Sequence, residues 1–132
     1  ASFSPIDTSG IPTTRGGKRM ISQERAEGAM QIILHAGDAR LRTTEALRAL
    51  AGFDFQAARE ALVEAKKEIT EAHTYQTVEL QREAEGNDPE FSVLVVHAQD
   101  TCMTVYSEMT LAEHLIEIAE SIDSRLKALE GK

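Results

Sequence analysis

A histidine and an aspartate one helical turn apart, His97 and Asp100, are the residues in this chain best placed to do chemistry. They stand in the stretch Phe91–Met109, FSVLVVHAQDTCMTVYSEM. At about 100° per residue on an α-helix, His97, Asp100, Thr101, Thr104 and Glu108 fall within one narrow arc, a polar line through apolar sequence. Neutral imidazole is both a good nucleophile and uncharged near neutral pH. His97 therefore reads either as a nucleophile or as a satisfied helix side chain. An aspartate among apolar residues must be protonated, paired or bound to a cation; a partly wet interface position is the bland alternative for Asp100. If copies of this helix packed about an axis, their Asp100 carboxylates would converge, and repulsion would call for a divalent ion or a shared proton.

The remaining reactive residues offer less. Of the four histidines, His35 and His114 read as satisfied or exposed, and His73 as a hydrogen-bonded interface residue. A di-iron bundle needs Glu-x-x-His, but Ile32, Thr70, Leu94 and Leu111 stand three residues before the histidines. There is no HExxH, GxxxxGK[ST] or GxSxG, so zinc peptidase, NTPase and serine hydrolase readings have no support. The single cysteine, Cys102, is turned away from the His97 line and reads as buried and inert. It leaves no internal disulfide and no zinc spacing. A net charge of −8 argues against nucleic acid or an anionic membrane surface as the main partner. No apolar run approaches the roughly 20 residues of a membrane span and no signal-peptide pattern opens the chain, so a cytoplasmic location is expected.

The elements that must position His97 are helices. The chain of 132 residues is 42% apolar with only four Phe, two Tyr and no Trp, a composition that fits one helical domain. Residues 1–19 hold two of the three prolines and three of the eight glycines without periodicity, and read as a flexible leader of expression-tag character. Residues 20–132 form the domain. A first helix is expected from Ile21 to Ala51, capped by Ser22, with Met30, Ile33, Leu34, Gly37, Leu41, Ala46 and Leu47 as its stripe. Gly28 and Gly37 inside it suggest the close approach of another backbone. Gly52-Phe53-Asp54 ends this helix in a turn so short that the next helix must be its antiparallel neighbour, with Asp54 as the expected cap of that helix. A second helix then runs from Phe55 to Glu85, with Ala58, Ala61, Leu62, Ala65, Ile69, Ala72 and Leu80 facing the core. Asp88-Pro89-Glu90 is expected to open the third helix, which continues to Leu129. The fold class is all-α, an up-down-up three-helix bundle. Phe91–Val96 is apolar around its circumference, so the third helix should be buried on every side, and three helices alone cannot do that. Self-association with closed cyclic symmetry follows as an expectation.

Four pieces in order resemble a known family: Ala36-Gly37-Asp38-Ala39-Arg40, Gly52-Phe53-Asp54-Phe55, Glu71-Ala72-His73 with Gln76-Thr77, and Ser92 through Met103 with HAQD at its centre. From Met30 to Ile118 the chain resembles the IIA component of the lactose/cellobiose (diacetylchitobiose) class of the bacterial phosphotransferase system. The resemblance implies a homotrimer of three-helix subunits. It implies that His97 accepts a phosphoryl group from the phosphorylated carrier HPr and passes it to a cysteine of the IIB component, during uptake of a β-disaccharide such as lactose, cellobiose or diacetylchitobiose. It implies that Asp100 lies on the trimer axis and holds Mg2+. Gln99 is off the His97 face within its own helix, so an auxiliary role at the phosphate would act across a subunit boundary. The chain departs from the family at Thr101-Cys102-Met103, where a second histidine followed by Leu-Met is common; that alternative acceptor is absent here. Two competing readings stay open: a helical interaction or regulatory module that carries no phosphate, and a metal-binding bundle.

Overall fold

The structure, a computed structural model, describes residues 21–86 and 90–132. The leader expected over residues 1–19, and Asp88 and Pro89, lie outside the described residues. Three helices make up the described chain, α1 (Gln23–Ala51), α2 (Phe55–Ala84) and α3 (Val93–Glu130), with no strand among the described residues. They form the up-down-up bundle.

Each helix begins on an oxygen-bearing cap that satisfies a backbone N–H of the first turn. Ser22 Oγ accepts from the Arg25 N–H at 3.2 Å, and Asp54 Oδ1 from the Ala57 N–H at 3.1 Å. For α3 the cap is Ser92, whose Oγ accepts from the Val95 N–H at 3.4 Å. The third helix thus starts after Glu90, not on it. The α1–α2 turn is closed by the Asp54 N–H donating to the Ala49 carbonyl (3.0 Å) and the Phe53 N–H to the Leu50 carbonyl (2.9 Å). This is the paired bonding of a Schellman turn, with Phe53 at φ 55° in the left-handed position that glycine usually fills.

Alanine dominates the centre. Ala36, Ala39 and Ala46 of α1, Ala58, Ala65 and Ala72 of α2, and Ala98 and Ala112 of α3 are all fully enclosed. Their small side chains let the helix axes approach, while Ile32, Leu62, Ile69, Val105, Met109 and Ile116 fill the space between. On α1 this moves the core from the expected stripe. The buried face is Ala29, Ile32, Ala36, Ala39, Thr43 and Ala46, whereas Met30, Leu34, Leu41 and Leu47 are exposed. Of the expected stripe only Ala46 is buried, with Ile33 packed partly against the core. Leu80 of α2 is exposed as well, though the rest of that face is core or packed against it. Nothing lies within 4 Å of a Cβ built on Gly28 or Gly37, so no close backbone approach explains these glycines.

The run Phe91–Val96 is also not enclosed by its own chain. Phe91 and Val93 are 81% and 72% exposed, Val96 is exposed, Leu94 is half-buried, and only Val95 is buried. The physical reason is position: this run leads into and opens α3 at the end of the bundle, where only one side meets α1 and α2. That end is tied by Arg25, whose Nε donates to Glu79 Oε1 of α2 (2.5 Å) and whose Nη1 donates to the Glu90 carbonyl just before α3 (2.6 Å). At the opposite end Arg59 of α2 pairs with Glu120 of α3.

Candidate functional site

Ala98, Cys102, Val105 and Met109 are buried and fix the rotation of α3 about its axis. The polar line is thereby turned away from the core. His97, Asp100, Thr104 and Glu108 are exposed and Thr101 is half-buried, all on the side of α3 that α1 and α2 leave open. The expected conflict of a carboxylate inside an apolar core does not arise within one chain. Asp100 faces outward, and none of the described ion pairs engages it.

His97 is the fifth residue of α3, just beyond the Ser92 cap. Helical side chains lean toward the N-terminus, so its ring lies over the first turn, where the helix dipole and unpaired N–H groups favour an anion. The Thr101 hydroxyl donates to the His97 carbonyl at 2.8 Å, so the hydroxyl group that stands next to the HAQD run is spent on the backbone. Chemically this is an accessible imidazole at the end of a helix that favours negative charge, beside an outward-facing carboxylate.

The structure keeps the other candidates apart from it. Gln99 is half-buried on the opposite flank of α3 and lines a recess of about 490 Å³ with Arg25, Glu79, Glu90 and Ser92. Within its own chain it does not meet His97. Cys102 is fully enclosed; its thiol donates to Gln76 Oε1 at 3.7 Å, and burial pushes its pKa up, as an inert thiol requires. His35 is paired through Nδ1 with Glu68 Oε2 (2.8 Å) and stacks on Tyr75, and His73 packs against Tyr106. His114 is exposed.

One member of the polar line has a partner that the sequence reading did not supply. Arg40 of α1 grips Glu108 through two bonds, Nε to Oε2 at 3.0 Å and Nη2 to Oε1 at 3.1 Å. This fork closes one rim of the open face, and Glu108 is therefore not free to join Asp100 in holding a cation. Arg40 belongs to the Ala36–Arg40 motif, which was the available signal; its partner lies too far along the chain to be read from spacing. Among the described residues no three His, Cys, Asp or Glu side chains come together to hold a metal ion. One chain offers the single carboxylate of Asp100, a donor set that fits a cation only when copies of it converge.

The described residues thus form an all-helical bundle that presents an exposed histidine near the N-terminus of its longest helix. Comparison with known proteins specifies its class. The family described as "PTS system, Lactose/Cellobiose specific IIA subunit" matches residues 27–120. The chain is 38% identical over 102 residues to the lichenan-specific phosphotransferase enzyme IIA component of Bacillus subtilis (strain 168), covering 77% of this chain and 93% of that protein. It is 43% identical over 88 residues to the lactose-specific EIIA component of Lactococcus lactis subsp. lactis, covering 67% and 84% respectively. The crystal structure of the cellobiose-specific enzyme IIA from Bacillus anthracis superposes with a TM-score of 0.73 at 36% identity, covering 80% of this chain and 95% of that one. The chain belongs to the lactose/cellobiose-specific IIA family of the phosphotransferase system. It is a phosphotransferase component, a carrier in the relay that brings phosphoryl groups from HPr to the IIB component. No helix among the described residues is long and apolar enough to cross a membrane.

Proposed function

We propose that His97 is the phosphoryl acceptor of this IIA component and that the chain works as a homotrimer in the cytoplasm. The observation that carries the reading is the exposure of His97 near the N-terminus of α3, on a face that no other part of the described chain covers. An unprotonated ring nitrogen of His97 attacks the phosphorus of phosphohistidine on HPr in line. The N–P bond to HPr breaks as the N–P bond to His97 forms. In the second step a cysteine thiolate of IIB attacks the same phosphorus, and the imidazole of His97 leaves. Such transfers depend on positioning and charge stabilisation more than on acid–base groups, which suits a site with few titratable neighbours. The sugar phosphorylated downstream is a β-disaccharide or β-glucan fragment. This class is supported by the lactose, cellobiose and lichenan specificities in the names of the relatives.

Copies of α3 packed around an axis through the open face would bring the Asp100 carboxylates together. The Asp100 side chain, free of the described ion pairs, supports a role as axial ligand for Mg2+, which when bound would neutralise their mutual repulsion. Gln99, on the flank of α3 away from its own chain's His97, would take an auxiliary part at the phosphate only across a subunit boundary. Incubation with phosphoenolpyruvate, enzyme I and HPr should give an acid-labile, base-stable label. Labelling that persists in His97→Ala would refute the assignment of His97. Asp100→Leu should retain the assembled state and lose the ion, as read by sedimentation and metal analysis.

A further inference from the structure

At the end of the bundle that presents His97, one side chain ties together the start of α1, the end of α2 and the entry to α3. Arg25 stands in the first turn of α1, where its own N–H is capped by Ser22. Its Nε donates to Glu79 Oε1 of α2 (2.5 Å), and its Nη1 donates to the Glu90 carbonyl, three residues before α3 begins (2.6 Å). The guanidinium is thus spent on these partners inside the end of the bundle, and it is no ligand for a group carried on the outward-facing His97. The two bonds differ in what would replace them. At this end α1 and α2 are joined a second time, by Glu24 and Arg82 (3.3 Å). Among the described residues no other side-chain hydrogen bond joins the segment 90–92 to α1 or α2. The Ser92 cap of α3 is also the longest of the three, 3.4 Å against 3.2 Å and 3.1 Å. The entry to α3 therefore leans on Arg25.

We infer that Arg25 is a positioning residue for the phosphoryl transfer: by holding the Glu90 carbonyl it fixes the entry to α3, and with it the turn over which His97 carries the phosphoryl group. The inference rests on the reading of His97 as the acceptor and adds to it a residue that touches neither reactant. His97 follows Val93 and Leu94 by four and three residues, so its ring leans over the first turn, whose leading N–H groups have no acceptor within the helix. Negative charge on that ring gains from those N–H groups only while the turn stays in place. In-line transfer is sensitive to misplacement of the nucleophile on the scale of about 1 Å. Arginine suits the task because two different nitrogens of one rigid plane serve two acceptors on separate parts of the chain, whereas lysine offers one nitrogen. Water can satisfy the Glu90 carbonyl once the guanidinium is gone, but it does not tie that carbonyl to α1.

Single-turnover labelling of the full chain over a range of phospho-HPr concentrations tests this, with wild type, Arg25→Lys, Glu79→Leu/Arg25→Met, Arg59→Met and His97→Ala. Both Arg25 variants should lose about fivefold or more in the saturating rate, while the half-saturating concentration of phospho-HPr stays within about twofold. Their phosphohistidine should hydrolyse about threefold faster or more, since the donors of the first turn no longer hold its charge. Arg59→Met, which breaks the pair at the opposite end, should match wild type in all three measurements. An Arg25 variant that keeps its helical circular dichroism and transfers at the wild-type saturating rate overturns the inference. An equal loss in Arg59→Met does so as well, because any interhelical pair would then serve. If the double variant loses its helical signal, Arg25→Lys decides alone; if both lose it, the inference falls, because Arg25 then serves the fold at large. Labelling of His97→Ala, or none of wild type, would sink the reading of His97 itself. A labelled wild type matched by its folded Arg25 variants would sink the positioning role alone.

Discussion

Replacing Glu79 with leucine should weaken the fold by about 3 kcal/mol, and replacing Arg25 with methionine as well should restore most of the loss. The two side chains form the ion pair that ties α1 to α2, and they are 8% and 12% exposed. Leucine at position 79 leaves the largely buried Arg25 guanidinium without its ion-pair partner. Removing one partner of a buried pair costs about 3–5 kcal/mol, and the lower end applies here because Arg25 keeps its bond to the Glu90 carbonyl. With methionine at 25 as well, no charge remains to be buried, and a packed apolar pair is often neutral or better than the ions it replaces. The Glu90 carbonyl loses its donor but sits on an exposed residue, where water takes over. In urea, at a slope of about 2 kcal/mol per M, Glu79→Leu should lower the midpoint by about 1.5 M. The double variant should lie within about 0.5 M of wild type on the same scale. All curves must be taken at one protein concentration, because assembly adds to apparent stability by mass action. The reasoning fails if the two substitutions are additive, for then the pair is hydrated and its burial carries no penalty.

Ile69→Ala should cost about 3–4 kcal/mol in the same assay, because Ile69 is enclosed at the centre of α2 among alanines that cannot move in to fill the space. Asp54→Ala, which deprives the Ala57 N–H of its acceptor, should cost about 1 kcal/mol, and asparagine there should recover most of it. Cys102 should react with thiol reagents only as fast as the chain opens, so its labelling should speed up sharply with added denaturant. Burial raises the pKa of that thiol in the folded state, so above about pH 8.5 the unfolded chain releases a proton that the folded chain retains. Stability should therefore decline as pH rises through that range, and Cys102→Val should flatten this part of the decline.

The features that depend on neighbouring residues were legible in the sequence, and those that depend on distant ones were not. Ser22 and Asp54 announced the first two helix starts because a cap acts over three residues. The face of α1 was misread because leucine and methionine are more apolar than alanine, yet close helix packing chose Ala29, Ala36 and Ala39 for the interior and left Met30, Leu34 and Leu41 outside. On α3 the opposite holds. The polar line was visible as a line, but its direction was not, since an arc of residues does not say what stands opposite it. That direction is set by residues one step away in sequence. Ala98 follows His97 and Val105 follows Thr104, and in both cases the first is buried and the second exposed only because the α1 and α2 surfaces receive Ala98, Cys102, Val105 and Met109 as one stripe. The alanine-rich interior and the reach of the imidazole are thus a single arrangement: small residues draw the helices close enough to hold α3 in one rotation, and that rotation delivers His97 to the open side.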